Sequence, residues 1–205
     1  MLHKIVSSVW MAGSFFKNRL YEARILKSKQ VRACVVSVGN IAAGGSGKTP
    51  FAMLLAQEFC DTFPTAILSR GYLSSFENGA REVKMEHGWR QIGDEVALMR
   101  NRVGAASFFV GKKRNLSAAM AQDRGCRLLI MDDGMQYRGL FRDIEITVLD
   151  GGDPFGKKSF LRESARSLDR SDFIVINNAP NNWEMIASGL KAPVMAVRPR
   201  IISVG

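Results

Sequence analysis

At 205 residues, with 46% hydrophobic side chains, the chain is long enough for one folded domain and too apolar to be disordered. Its 29 Lys and Arg against 19 Asp and Glu give a charge of +10, which points to anionic ligands: nucleic acid, acidic lipid or a phosphorylated substrate. No helix-turn-helix, zinc-finger or RNA-recognition signature accompanies that charge, so the expectation is no nucleic acid.

The N-terminal segment has apolar residues at Leu2, Ile5, Val6, Val9, Trp10, Phe16 and Leu20, with Lys4, Lys17 and Asn18 away from most of them. This spacing predicts an amphipathic helix within residues 1–30. Either it lies on a membrane with Trp10, Phe15 and Phe16 inserted, or it packs on its own domain. No A-x-A cleavage pattern follows, and no run of about 18 apolar residues marks a membrane span. Cys34, Cys60 and Cys126 are odd in number and lack CxxC spacing, so they read as buried free thiols in a reducing cytosol.

From residue 31 the pattern becomes α/β. Strands are predicted over 33–38, 65–68, 107–110, 127–131, 144–149, 173–176 and 193–197, with an edge strand or ribbon over 81–85. Helices are predicted over 49–59, 94–103 and 116–123. Strands alternating with helices predict a mostly parallel sheet with helices on both faces, with ligands at the carboxyl ends of the strands.

Gly44-Gly45-Ser46-Gly47-Lys48-Thr49 follows the first strand and opens a helix, the setting of a phosphate-binding P-loop. Glycines let backbone N–H groups crowd around phosphate oxygens, the helix N-terminus adds partial positive charge, and Lys48 reaches the β- and γ-phosphates. The Thr49 hydroxyl is placed for Mg²⁺. The full pattern has glycine where this chain has Ala42, and Gly39 and Gly44 are expected to supply the flexibility. Together Ala42, Ala43 and residues 44–49 form the expected nucleotide loop.

Asp132 and Asp133 end the strand 127–131, where a P-loop protein carries its Mg²⁺-holding aspartate. Two adjacent carboxylates pointing opposite ways split the work between metal and structure. Gln136 is read as orienting a phosphate or a water. Asp94 and Glu95 are either helix-dipole partners or a general base and a metal ligand. Arg162 either meets a phosphate or forms a surface ion pair with Glu163.

These residues resemble the lipid A 4′-kinase (tetraacyldisaccharide 4′-kinase) family. The resemblance rests on Val38-Gly39-Asn40-Ile41, on 44–49 followed by Pro50, and on Leu68-Ser69-Arg70-Gly71-Tyr72. Gly93-Asp94-Glu95, Asp132-Asp133-Gly134-Met135-Gln136, Arg142-Asp143, Leu161-Arg162-Glu163 and Arg170-Ser171-Asp172 follow in the family's order. It implies transfer of the ATP γ-phosphate to the 4′-hydroxyl of a tetraacylated glucosamine disaccharide 1-phosphate, at the cytoplasmic face of the bacterial inner membrane. It implies Asp94 as base, Lys48 as a catalytic phosphate-binding residue, and Thr49, Glu95, Asp132 and Asp133 around Mg²⁺. It also implies that the N-terminal helix touches the membrane and that an anionic surface suits the basic charge. Members of the family are longer, with a second α/β domain that supplies a histidine partner to the aspartate. Here Tyr137 stands where the family usually has His, and the segment 157–160 is short. The expectation is a fragment, a shortened product or a degenerate copy, in which ATP binding outlasts turnover. A P-loop switch ATPase acting on a protein partner is the alternative from another class, though Ala43 replaces the Lys such proteins often carry.

Overall fold

The computed structural model describes residues 2–156 and 159–198, with side chains from Met11 onward. Helix α1 (Leu2–Glu22) comes first. It stops where Arg24 takes a left-handed φ of 58° and the Ile25 N–H returns to the Leu20 carbonyl. The apolar positions Leu2, Ile5, Val6, Val9 and Trp10 lie outside the residues whose side chains are described.

The rest is one α/β unit. In chain order it runs β1 (Cys34–Gly39), α2 (Lys48–Phe59), β2 (Thr65–Ser69), β3 (Arg81–Glu82), α3 (Trp89–Ile92), α4 (Asp94–Arg102), β4 (Ser107–Val110) and α5 (Arg114–Asp123). Next are β5 (Leu128–Asp132), β6 (Ile144–Asp150), a 3₁₀ turn (Ala165–Arg170), β7 (Phe173–Asn177), α6 (Trp183–Ala187) and β8 (Val194–Val197). The sheet order is β3-β4-β2-β5-β1-β6-β7-β8, parallel throughout except for the β3–β4 pair.

Alternation along each strand explains the two covered faces. On β2, Ile67 packs with Ala52 and Ala56 of α2 and with Val96 and Met99 of α4. Its neighbours Ala66 and Leu68 pack with Ala118 and Ala121 of α5 on the other face. Leu149 and Ile174 meet Leu168 of the 3₁₀ turn, and with Ile41 and Met135 they make a third cluster below the P-loop. Helices therefore cover both faces of a mostly parallel sheet.

Two expectations need correction. The ribbon over 81–85 is a two-residue antiparallel strand, because Lys84 already turns to place its N–H on His87 Nδ1. Cys34 is exposed at the amino edge of the sheet, whereas Cys126 is buried. On α1, Asn18 is 6% exposed while Phe15 and Phe16 are 58% and 73% exposed, so the helix packs on the domain in part through a polar residue. Among the described residues no helix is long and apolar enough to cross a membrane.

Candidate functional site

The carboxyl ends of the central strands open into a cavity of about 650 Å³ lined by Gly44, Gly45, Gly47, Lys48 and Thr49. β1 is where successive connections part to opposite sides, with β5 on one flank and β6 on the other, so the loop after it sits at the mouth of the sheet. Gly39 leaves β1 so close to Met135 that a Cβ would overlap the Met135 Cβ and backbone nitrogen. Gly47 caps α2 at φ 89°, and a side chain there would run into the Asn177 amide, whose Nδ2 donates to the Ser46 carbonyl (3.1 Å). The loop is thus pinned from β7, and its glycines are required by geometry.

Ala42 and Ala43 lie on the loop's back. Ala42 is buried and bridges to Leu161, and the Ala43 N–H donates to the Phe160 carbonyl (2.8 Å). The Arg162 and Glu163 N–H groups both donate to the Ile41 carbonyl (2.8 and 3.1 Å). Residues 160–163 therefore strap the loop from outside. The strap brings Arg162 into the cavity, where its Nη1 donates to Asp133 Oδ2 (2.7 Å).

Both aspartates line this one cavity; they do not point apart. Asp132 is the last residue of β5, and Asp133 leaves the strand at a left-handed φ of 52°, which swings its carboxylate back toward the loop. The Thr49 hydroxyl lies 3.3 Å from both Asp132 oxygens, and Lys48 Nζ lies 3.7 Å from Asp133 Oδ1 and 3.3 Å from the Gly44 carbonyl. Their environments drive the two acids apart. Burial, then the charges of Asp133 and Glu95, push Asp132 up to about 7. Burial acts on Asp133 in the same sense, but Arg162 and Lys48 outweigh it and hold that carboxyl below the usual range.

A buried carboxylate with a raised affinity for positive charge, beside a hydroxyl, is the hard-oxygen set that suits Mg²⁺. Among the described residues no group of three or more His, Cys, Asp or Glu is assembled for a metal.

Glu95 lines the cavity, but Asp94 does not. Asp94 lies in an adjoining hollow of about 540 Å³ lined by Tyr72, Leu73, Trp89 and Arg90, and its Oδ1 accepts the Glu95 N–H (2.9 Å). Ser69, Tyr72 and Glu95 line both spaces. Gln136 is also outside the cavity lining. Its Nε2 donates to the Asn40 carbonyl (2.8 Å) and to Glu163 Oε1 (3.3 Å), so it braces the loop and the strap from behind.

Sequence reasoning passed over Arg114. It is 4% exposed, opens α5 after β4 and lines the cavity, and burial pushes its guanidinium down to about 10 against the pull of Asp133 and Asp132. The signal was the run Lys112-Lys113-Arg114 at a helix start, where the dipole disfavours cations unless an anion compensates. Arg70, which lines the cavity after β2, was noted only within a motif.

A family model described as tetraacyldisaccharide-1-P 4′-kinase matches residues 1–203. The chain belongs to this family. A tetraacyldisaccharide 4′-kinase from Halothermothrix orenii is 35% identical over 188 residues, covering 85% of this chain and 48% of that protein. One from Chlamydia abortus is 34% identical over 213 residues, covering 98% and 57%. The crystal structure of the "apo" form of LpxK from Aquifex aeolicus in complex with ATP aligns with a TM-score of 0.82 at 30% identity, over 96% of this chain and 64% of that one. The chain thus spans about half the length of the curated relatives it matches. HypB from Helicobacter pylori, at a TM-score of 0.53 and 16% identity, shares the fold. Of the family motifs, the loop 44–49, Ser69-Arg70, Glu95, Asp132-Asp133 and Arg162 meet in the cavity at the carboxyl ends of the strands, whereas Asp143 and Asp172 precede β6 and β7 at the amino ends and accept the N–H groups of Val35 and Glu145. Tyr137, within one of these motifs, accepts no place in the cavity lining: its hydroxyl bonds the Asn115 side chain and its ring lies 5.8 Å from the Arg114 guanidinium.

Proposed function

We propose that this chain is the nucleotide-binding, phosphoryl-transferring part of a tetraacyldisaccharide 4′-kinase, taking ATP with Mg²⁺ and an acylated disaccharide 1-phosphate. The observation that carries the reading is the shared wall of Ser69, Tyr72 and Glu95: the phosphate cavity and the hollow of Asp94 abut there. ATP phosphates would lie against the loop N–H groups, Lys48, Arg114 and Arg162, which oppose their charge. Mg²⁺, held by Thr49 and Asp132 with Asp133 and Glu95 around it, would neutralise charge on the β- and γ-phosphates. Asp94 takes the proton of the 4′-hydroxyl as that oxygen bonds to the γ-phosphorus. The bond from phosphorus to the bridging oxygen breaks, and ADP leaves with the electron pair.

The acceptor reading draws on the rim of the same hollow. Tyr72, Leu73 and Trp89 are 62%, 82% and 60% exposed, an apolar edge suited to acyl chains. The exposed Phe15 and Phe16 on α1, with the basic charge, support a peripheral position on the anionic cytoplasmic face of the inner membrane. Residues 1–30, which carry α1, are then the membrane-contacting segment and 31–205 the kinase domain.

A second reading, nucleotide binding without turnover, draws on Asp94 itself. It is exposed, and its carboxylate accepts the N–H of its own neighbour. Thin-layer assay of transfer from labelled ATP to the disaccharide 1-phosphate separates the two. The expected result is ATP binding with slow transfer that Asp94→Ala lowers by ~10²–10⁴ without loss of ATP affinity. Transfer undiminished by Asp94→Ala would refute the assignment, and ATP binding with no transfer at all would favour the second reading.

A further inference from the structure

Glu163 is 2% exposed and its carboxylate is crowded with donors from three parts of the chain. Oε2 accepts Asn18 Nδ2 (2.7 Å), Ser167 Oγ (2.8 Å) and Arg170 Nη2 (2.8 Å), and Oε1 accepts Gln136 Nε2 (3.3 Å). Asn18 belongs to α1, which reaches this point from the far end of the sequence. The same turn of α1 makes two more bonds: Lys17 Nζ donates to the Gln136 carbonyl (2.8 Å), and Arg138 Nη1 donates to the Asn18 carbonyl (3.2 Å). α1 is thus held on the domain through Asn18 and Lys17 by residues that brace the P-loop and its strap from behind.

The path from α1 to the cavity is short. Glu163 is the residue after Arg162, and the N–H groups of both fix the strap to the Ile41 carbonyl of the P-loop. Gln136 bonds Glu163 with its Nε2, and its Oε1 lies 3.5 Å from Arg162 Nη1, the guanidinium that meets Asp133. Removing Asn18 strips a buried carboxylate of a donor. That carboxylate must then shift toward Arg170 and Ser167 or admit water, and its backbone is the strap.

We propose that Asn18 is a positioning residue that couples α1 to the phosphate cavity through Glu163 and Gln136, so that seating of α1 and binding of nucleotide strengthen each other. The proposal rests on the reading that the cavity binds ATP. The reciprocity follows from linkage: if α1 tightens nucleotide binding by a factor, nucleotide tightens the seating of α1 by the same factor.

Two measurements on the full chain test it. Hydrogen exchange on the wild type should show residues 11–22 gaining protection when Mg-ATP is added. Calorimetry should show Asn18→Ala weakening ATP roughly fivefold or more, with Asn18→Gln, which keeps the amide donor, recovering most of the loss. Phe16→Ala, at a ring 73% exposed, should leave ATP affinity unchanged. Asn18→Ala that lowers Tm but leaves ATP affinity unchanged would overturn the proposal, as would α1 exchange that ignores ATP in a wild type that binds it. A wild type that binds no ATP would overturn the nucleotide reading and the coupling with it.

Discussion

Asp132→Asn should stabilise the metal-free protein at alkaline pH, although it removes a residue at the heart of the site. Asp132 is 3% exposed, and burial, with the charges of Asp133 and Glu95, pushes its carboxyl up to about 7, from 3.8 for the unperturbed side chain. The folded state therefore holds a proton that the unfolded chain releases. The stability this group contributes is fully present below about 3.8, is lost as pH rises toward 7, and stays lost above it. A separation of about 3 pKa units corresponds to roughly 4 kcal/mol at most. Asp133, held low by Arg162 and Lys48 against its own burial, works in the opposite direction and loses its contribution on acidification. An asparagine at 132 keeps an oxygen for the Thr49 hydroxyl and carries no charge. Urea unfolding in EDTA should show Asp132→Asn more stable than wild type by about 2–4 kcal/mol at pH 8 and close to wild type near pH 4. A variant equal to or weaker than wild type at pH 8, or a difference that does not change with pH, would refute the reasoning. Adding Mg-ATP should reverse the order at pH 8, because the wild type alone presents the charge that the cation needs.

Lys48→Ala should weaken ATP by roughly 3 kcal/mol, about a hundredfold in Kd, because Lys48 Nζ stands between the Gly44 carbonyl and Asp133 where phosphate would lie. Calorimetry checks it, and equal binding by the two proteins would remove the loop from the nucleotide site. Replacing both Phe15 and Phe16 with alanine should reduce co-sedimentation with anionic vesicles roughly tenfold or more, since both rings of α1 are more than half exposed. Unchanged co-sedimentation would mean that this side of α1 meets something other than a membrane.

The fold was legible wherever local pattern and tertiary environment agree. β4 falls where the sequence places it, and the central strands differ by a residue or two at their ends, because their apolar runs are buried on both faces and bounded by turn residues. Helical elements of four to six residues were not legible: α3, the 3₁₀ turn and α6 are too short to show a helical period. α1 shows a different limit. Its helical period was plain, but which side faces the domain was not, because an apolar side suits a membrane as well as a domain. The buried partner of Asn18 is Glu163, a carboxylate 145 positions away that only the fold brings near.

The two acidic pairs show why the site was legible as a set of residues and not as an arrangement. Asp94 and Glu95 look equivalent in sequence, yet successive residues of a helix point about 100° apart. Gly93, at φ 90°, starts α4 at the angle that sends Asp94 into the hollow beside Trp89 and Glu95 into the phosphate cavity. Asp132 and Asp133 run the other way. In a continuing strand they would face opposite sides of the sheet. The left-handed turn at Asp133 brings both into one cavity, and the strap's Arg162 then fixes the second. In each case one backbone angle decides whether neighbouring carboxylates act together or apart. Both turns pack against other segments of the chain: a Cβ on Gly134, the residue after Asp133, would overlap the Ser37 hydroxyl, and Gly93 lies against Gly71, Tyr72 and Ser74. A reading of residue types can therefore name the members of such a site, while their division of labour waits on the packing around the turns that carry them.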